Sequence, residues 1–196
     1  MKKLIALLAG SVVSVSVFAE TAVPANKNIS ASAVATWEAS ATKDTKSALV
    51  VTPLKSLNFK YAEGLKTFNT VNGAFDVTIE GQSGATDFNL SSKVLRNTLT
   101  RPSDTSTLAV GVAWNGEKIS NQLVTLIDTA KNINQDLTAL STGYMNSGRT
   151  SAQGNFTFSI DSATSDGQTA AQFADLADGS WDGQVAVQFT ATWEKP

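Results

Sequence analysis

The chain has 196 residues, 42% of them hydrophobic and 16% charged, with 15 basic and 17 acidic side chains and neither cysteine nor histidine. That length suits one domain with a sizeable core, which has to hold without disulfides. The absence of His and Cys removes Ser-His and Cys-His nucleophile pairs and nearly all transition-metal sites, and the lack of any basic cluster argues against nucleic acid as a partner.

Residues 1–19 have the form of a secretory signal peptide. Lys2 and Lys3 precede an apolar or small-residue stretch from Leu4 to Phe18, and Val17 and Ala19 satisfy the small-residue rule for cleavage. Gly10, Ser11, Ser14 and Ser16 interrupt that stretch, which is too short and broken to span a bilayer. Cleavage after Ala19 leaves Glu20–Pro196, with 13 of the 15 basic and all 17 acidic side chains, net −4. Next comes Asn28–Trp37, in which Ile29, Ala31, Ala33, Ala35 and Trp37 alternate with polar residues, Val34 excepted. A period of two is a strand with one apolar face. No hairpin turn ties this strand to the next one, so it can either open its own sandwich or leave and complete another one.

Further strands are expected at Ala48–Thr52, Ser56–Tyr61, Phe75–Glu80, Asp87–Leu95, Leu108–Trp114, Leu123–Asp128, Phe156–Ile160 and Gln184–Trp193. Turn signals separate them: Asn72-Gly73, Gly81–Gly84, Asn115-Gly116, Asp166-Gly167, Asp178-Gly179 and Asp182-Gly183. Asn115-Gly116 directly after Trp114 reads as a two-residue hairpin. Many short strands at this spacing favour a β-sandwich over a closed barrel. Thr129–Asn155 and Asp161–Asp178 read as long surface loops, with helical turns near Ile133–Leu140 and Ala170–Ala177. The final strand alternates again, with Val185, Val187, Phe189, Ala191 and Trp193 on one face, so both ends of the mature chain are strands with an apolar side.

Other chemistry finds little footing. Trp37 and Trp193 lie on apolar strand faces and read as core, whereas Trp114 and Trp181 border turns and are the better surface platforms for a sugar ring. Asp178-Gly-Ser-Trp-Asp182-Gly lacks the spacing and bidentate Glu of an EF-hand loop, and two Asp-Gly turns explain it. No pair among the 17 acids stands out for glycosidase-type chemistry, so no catalytic residue and no cofactor is assigned. Asn28-Ile-Ser30, Asn89-Leu-Ser91 and Asn155-Phe-Thr157 match the glycosylation triplet, which is common by chance.

The segments Ala33-Val-Ala-Thr-Trp37, Leu49–Gly64, Phe75–Gly81, Phe156–Ile160 and Val187–Trp193 together resemble, in order and over essentially the whole mature chain, the major pilins of the enterobacterial common pilus. Asn115–Gln122 and Thr129–Gly143 diverge more. The resemblance implies an alpha-type chaperone–usher subunit: an all-β, incomplete immunoglobulin-like β-sandwich completed by a donor strand from a neighbouring subunit. It implies a signal peptide over 1–19, a donor-strand extension over 20–38 and a pilin domain over 39–196. In that reading Ile29, Ala31, Ala33, Ala35 and Trp37 are the donor residues. Val185, Val187, Phe189, Ala191 and Trp193 border the acceptor groove and offer the edge to the chaperone. The implied partners are identical subunits in a head-to-tail polymer, a periplasmic chaperone, an outer-membrane usher, a tip adhesin and a host-cell glycan or protein receptor. The implied location is a cell-surface fimbrium reached through the periplasm, active in adhesion and biofilm formation. The competing reading is a secreted monomeric β-sandwich that binds carbohydrate.

Overall fold

A computed structural model describes residues 43–196; the segment expected as a signal peptide and the alternating segment bearing Ile29, Ala31, Ala33, Ala35 and Trp37 lie outside the described residues. Within them the strands are β1 (Leu49–Pro53), β2 (Tyr61–Ala62), β3 (Thr67–Phe68), β4 (Val71–Glu80), β5 (Asp87–Arg96), β6 (Thr98–Thr100) and β7 (Thr107–Trp114). They continue with β8 (Glu117–Ile119), β9 (Val124–Asp128), β10 (Arg149–Thr164), β11 (Ala170–Ala171), β12 (Asp182–Gly183) and β13 (Ala186–Glu194), with one short helix, α1 (Thr138–Gly143), before β10. Every pairing is antiparallel. The larger sheet runs β1-β4-β10-β7-β6-β12, with β8 also on β7 and β11 on β10; the smaller runs β13-β5-β9, and β2-β3 is a separate ribbon.

The two sheets bury their alternating faces against each other. Phe75, Val77 and Ile79 of β4, Leu108, Val110, Val112 and Trp114 of β7, and Phe156, Phe158 and Ile160 of β10 meet Phe88 and Leu90 of β5 and Leu126 of β9. This is the all-β sandwich that the strand spacing predicts. β10 is the spine: its first part pairs with β4 and its last part with β7. Its inward residues fall on even numbers as far as Ile160 and then on Ala163, because a bulge at Asp161 inserts one residue and shifts the phase. The bulged Asp161 carboxylate lies over Gly111, where a Cβ would come within 2.1 Å of Oδ1, and it accepts from Lys118 Nζ at 2.5 Å and Ser159 Oγ at 2.7 Å.

Several local expectations are met. Asn115 (φ 47°) and Gly116 (φ 86°) both take left-handed conformations, as a tight hairpin between β7 and β8 requires. A 3-10 turn at Phe173–Asp175 falls inside the helical turn expected at Ala170–Ala177.

Others are corrected. Ser56–Tyr61 is not a strand: residues 55–60 have no strand pairing among the described residues, although Leu57 and Phe59 turn inward as the alternation required. Asn72-Gly73 is not a turn but lies inside β4, because the Phe158 ring occupies the space a side chain on Gly73 would need. Thr129–Asn155 is not wholly a surface loop. Its end is already β10, its helix sits at Thr138–Gly143, and Leu137, Leu140 and Tyr144 are buried in the core. Tyr144 stacks on Phe88 at 5.8 Å and donates its hydroxyl to the Thr86 carbonyl at 2.8 Å. Trp114, expected at the surface beside its turn, is 1% exposed, because β7's inward alternation continues through it.

Leu126→Ala, at a fully buried site, should cost about 2–5 kcal/mol, whereas Leu95→Ala, at a position 61% exposed, should stay within about 0.5 kcal/mol; urea midpoints of the mature protein check both. Burial of the Asp161 carboxyl opposes ionisation, but the hydrogen bonds from Lys118 and Ser159 outweigh it and hold the group below its ordinary range. A carboxylate lowered on folding stabilises above its unfolded pKa of about 3.9 and loses that contribution as pH falls through the folded value. Asp161→Asn should therefore show a smaller loss of stability than the parent between about pH 5 and pH 2.

Candidate functional site: an apolar groove beside the last strand

Among the described residues β13 is bonded along one edge only. It pairs with β5 from Val187↔Val94 to Glu194↔Asp87, and no strand covers its other edge among the described residues. β1 likewise pairs with β4 alone among the described residues. Both strands have apolar residues on the side that faces the core. Yet Val185, Val187, Phe189, Ala191 and Trp193, like Leu49 and Val51, are half-buried, unlike the fully buried inward residues of the central strands. Of the five residues picked out from alternation, Val187, Phe189, Ala191 and Trp193 lie on one face of β13, and Val185 immediately precedes the strand.

A groove of 1270 Å³ lies between these edges. Val51 and Pro53 of β1 line it together with Leu57 and Phe59, and Val185, Val187 and Phe189 line it from the other sheet. Phe75, Leu108, Phe156 and Phe158 reach it from the core. Ala191 and Trp193 do not line this volume; Trp193 packs instead on Phe88 at 5.2 Å. The Trp193 indole N–H is buried and finds no acceptor among the described residues.

A second aromatic group also lines the groove. Phe68 makes edge-on contacts with Tyr61 at 5.4 Å, Phe173 at 5.5 Å and Trp181 at 6.4 Å. Sequence reasoning missed Leu57, Phe59, Phe68 and Phe173 as groove residues; the inward alternation around Leu57 and Phe59 was the available signal, whereas Phe68 and Phe173 carry none. The segment bearing Phe173 and Trp181 is tied down by a closed ring of polar contacts. Trp181 Nε1 donates to Ser106 Oγ at 2.9 Å, Ser106 Oγ donates to Asp104 Oδ1 at 2.7 Å, and Asp104 pairs with Arg101 at 3.4 Å. Arg101 closes the ring by lying 5.5 Å over the Trp181 ring and donating to the Ala177 carbonyl at 2.5 Å. The Ser106 hydroxyl and amide hold the Asp104 carboxyl below the usual carboxylate range, with Arg101 adding to the effect.

This geometry removes Trp114 as a sugar platform and ties Trp181 into the polar ring. Trp114 is in the core, and Trp181 has Arg101 over its ring and its N–H committed to Ser106. What the site can do is hold an extended apolar segment. A strand laid along β13 would pair with the edge that has no partner among the described residues while alternate side chains turned toward the groove.

The fold is that of a pilin. The CooA pilin subunit from enterotoxigenic Escherichia coli superposes with a TM-score of 0.52 over 74% of this chain and 88% of that one, at 17% identity, a likeness of fold. The chain belongs to the MatB fimbrillin family, whose model matches residues 30–193. It is 54% identical to the common pilus major fimbrillin subunit EcpA of Klebsiella pneumoniae subsp. pneumoniae, over 85% of this chain and 87% of that protein. It is 51% identical to the subunit of the same name from Escherichia coli O1:K1, over 91% and 94%.

Ser106→Ala should cost about 1 kcal/mol, since the part-buried Trp181 N–H loses its acceptor. A lowered thermal midpoint with a red-shifted tryptophan emission would register it.

Proposed function

We propose that this protein is the major structural subunit of a chaperone–usher pilus and polymerises by donor-strand exchange. The 28–37 segment of one copy enters the groove beside β13 of the next, with Ile29, Ala31, Ala33, Ala35 and Trp37 turned inward. The observation that carries this reading is β13 itself, a nine-residue strand with an apolar, half-buried inner face and an edge that has no partner among the described residues. Long apolar edges are a standing invitation to strand addition, and soluble proteins ordinarily blunt them. Family membership and the pilin fold support assembly into a surface fibre.

The rest of the scheme comes from export. Residues 1–19 direct the chain to the periplasm, 20–38 form the extension and 39–196 the domain. A groove left open would aggregate, so a periplasmic chaperone covers the edge along Val185, Val187, Phe189, Ala191 and Trp193 until an outer-membrane usher replaces it with the next subunit's strand. A tip adhesin ends the fibre, and adhesion to a host-cell glycan or protein and biofilm formation are its uses. Ten extended residues reach about 33 Å, the length of a small sandwich. Extraction of such a strand breaks a whole ladder before any new partner is gained, so the fibre's persistence is kinetic.

Ala33→Asp, which forces a charge into an apolar groove, should abolish fibres seen by electron microscopy while the subunit still reaches the periplasm. Deletion of residues 20–38 should do the same. Unchanged fibre length and yield in the Asp variant would reject the assigned face.

A further inference from the structure

We infer that successive copies of this chain meet at a second contact, outside the groove: Leu65, at the tip of the β2–β3 ribbon of one copy, seats in the pocket that Ile133, Tyr144 and Met145 form on the next. This rests on the donor-strand reading above and adds two surfaces which that reading does not use.

Leu65 is 77% exposed, the most exposed large hydrophobic side chain among the described residues. A single exposed leucine needs no explanation in itself; its mounting does. The ribbon is braced at its base. Tyr61 faces Phe68 across the pair, with the rings edge-on at 5.4 Å, and Phe68 packs edge-on against Phe173 at 5.5 Å and Trp181 at 6.4 Å. The Asn69 N–H donates to the Lys60 carbonyl at 3.0 Å, and the Lys60 N–H donates to Asn69 Oδ1 at 2.5 Å. The tip is a 3-10 turn, Glu63–Leu65, closed by Lys66 (φ 52°), whose N–H donates to the Glu63 carbonyl at 3.2 Å. It stands clear of the domain, since a Cβ on Gly64 would find no atom within 4 Å. An apolar side chain is thus held out on a stiff hairpin, and it does not line the groove.

A separate cavity of 410 Å³ opens between the segment after β9 and the end of α1. That volume falls in the range of sites that take whole small molecules, about 300–1,000 Å³, so one leucine side chain has room. Ile133, Tyr144 and Met145 give the cavity its apolar surface, and Asn132, Asn134 and Thr142 line it with polar groups. Tyr144 is fixed by its stacking on Phe88 and its hydrogen bond to Thr86, whereas Met145 is 49% exposed and can adapt to what enters. The polar groups suit the peptide groups of the turn that carries Leu65. Charges agree as well. Glu63 and Lys66 flank Leu65 in the chain, and Lys131 and Asp136 flank Asn132–Asn134, so each side brings one acid and one base.

Strand direction brings the two surfaces together. The ribbon lies where β13 begins, because Phe68 touches Phe173 and Trp181 from the segment leading into that strand. The pocket lies where β13 ends: the Thr86 N–H donates to the Glu194 carbonyl at 2.9 Å, and the Thr86 carbonyl accepts from the Tyr144 hydroxyl. The chain enters the domain at that same end, since the Glu80 N–H donates to Ala48 and the Gln82 N–H to Tyr144. Every pairing among the described strands is antiparallel. A donor segment added to β13 in that sense runs from the Glu194 end to the Ala186 end and emerges beside the acceptor's ribbon. Residues 38–47 then join it to Ala48 of its own domain, a span of at most about 35 Å. The pocket end of one copy is therefore delivered to the ribbon end of its neighbour. Such a contact is too small to hold two free subunits, but the donor strand raises its effective concentration to the millimolar range, where it fixes the angle between neighbours.

The chain has no cysteine, so an introduced pair reports the contact without background. The experiment expresses the full chain, carrying Leu65→Cys with Met145→Cys, together with its assembly apparatus; the fibres are purified, treated with a mild oxidant and boiled in detergent without reductant. The expected result is a ladder of covalent oligomers that reductant collapses to monomer, at least about tenfold stronger than from Leu95→Cys with Met145→Cys, whose exposed partner sits on β5. In the cysteine-free chain, Leu65→Asp should leave fibre yield near normal and lower the persistence length measured on electron micrographs. Fibres from the first pair without a ladder, or an equal ladder from the Leu95 pair, would overturn the contact and leave the donor-strand reading standing. Leu65→Asp fibres of unchanged persistence length would do the same. Where the first pair yields no fibres, Thr142→Cys takes the place of Met145→Cys. Normal fibres from Ala33→Asp would remove the donor-strand reading itself.

Discussion

An antiparallel strand with an apolar inner face needs a neighbour on each edge to hide that face and to satisfy its backbone. β13 has β5 on one side and, among the described residues, no strand on the other. Much else about the molecule stems from that imbalance. The inward residues of β4, β7 and β10 sit between two neighbours and are buried, whereas Val185, Val187, Phe189, Ala191 and Trp193 have the same alternation and remain half-covered. The difference between core and site here is topological, not compositional: the same residue types serve both, and the position of the strand in its sheet decides which they become.

The groove keeps its form because its surroundings are rigid. β10 crosses the larger sheet as a single sixteen-residue strand and holds β4 and β7 in one surface. Aromatic rings lie close over glycines, Phe75 over Gly154 and Phe158 over Gly73, so the rings that reach the groove from the core are closely packed. Leu137, Leu140 and Tyr144 fill the core from the segment before β10, and the ring through Arg101, Asp104, Ser106 and Trp181 fixes the stretch that carries the second aromatic group. A chain without a single disulfide can thus present an open apolar surface without collapsing into it, because the opening is framed by ladders and packed rings.

Strands β4, β5, β7 and β9 and the last strand were legible because each is a half-buried period-two run bounded by turn residues. The misreadings have a common cause. Asn72-Gly73 has the composition of a turn, yet Gly73 stands in mid-strand because a ring two positions along the neighbouring strand needs its space. Trp114 borders a turn, yet the turn begins one residue after its side chain has already gone inward. Ser56–Tyr61 alternates as a strand should, but residues 55–60 find no ladder partner among the described residues. The polar run before β10 concealed Leu137, Leu140 and Tyr144, whose spacing is helical. In each case local composition was read correctly and a neighbour distant in sequence overrode it.

From its residues alone the chain settled its class, the faces of most of its strands and the alternation of its last strand, because alternation and turn chemistry are properties of consecutive residues. It could not disclose that β1 and β13 would each have one strand partner among the described residues, that Phe59, Phe68 and Phe173 would converge from three separate segments, or that Trp181 would carry Arg101 over its ring while Trp114 went to the core. Those are facts about which strands become neighbours, and strand order depends on contacts between residues far apart in the chain, which no local pattern encodes.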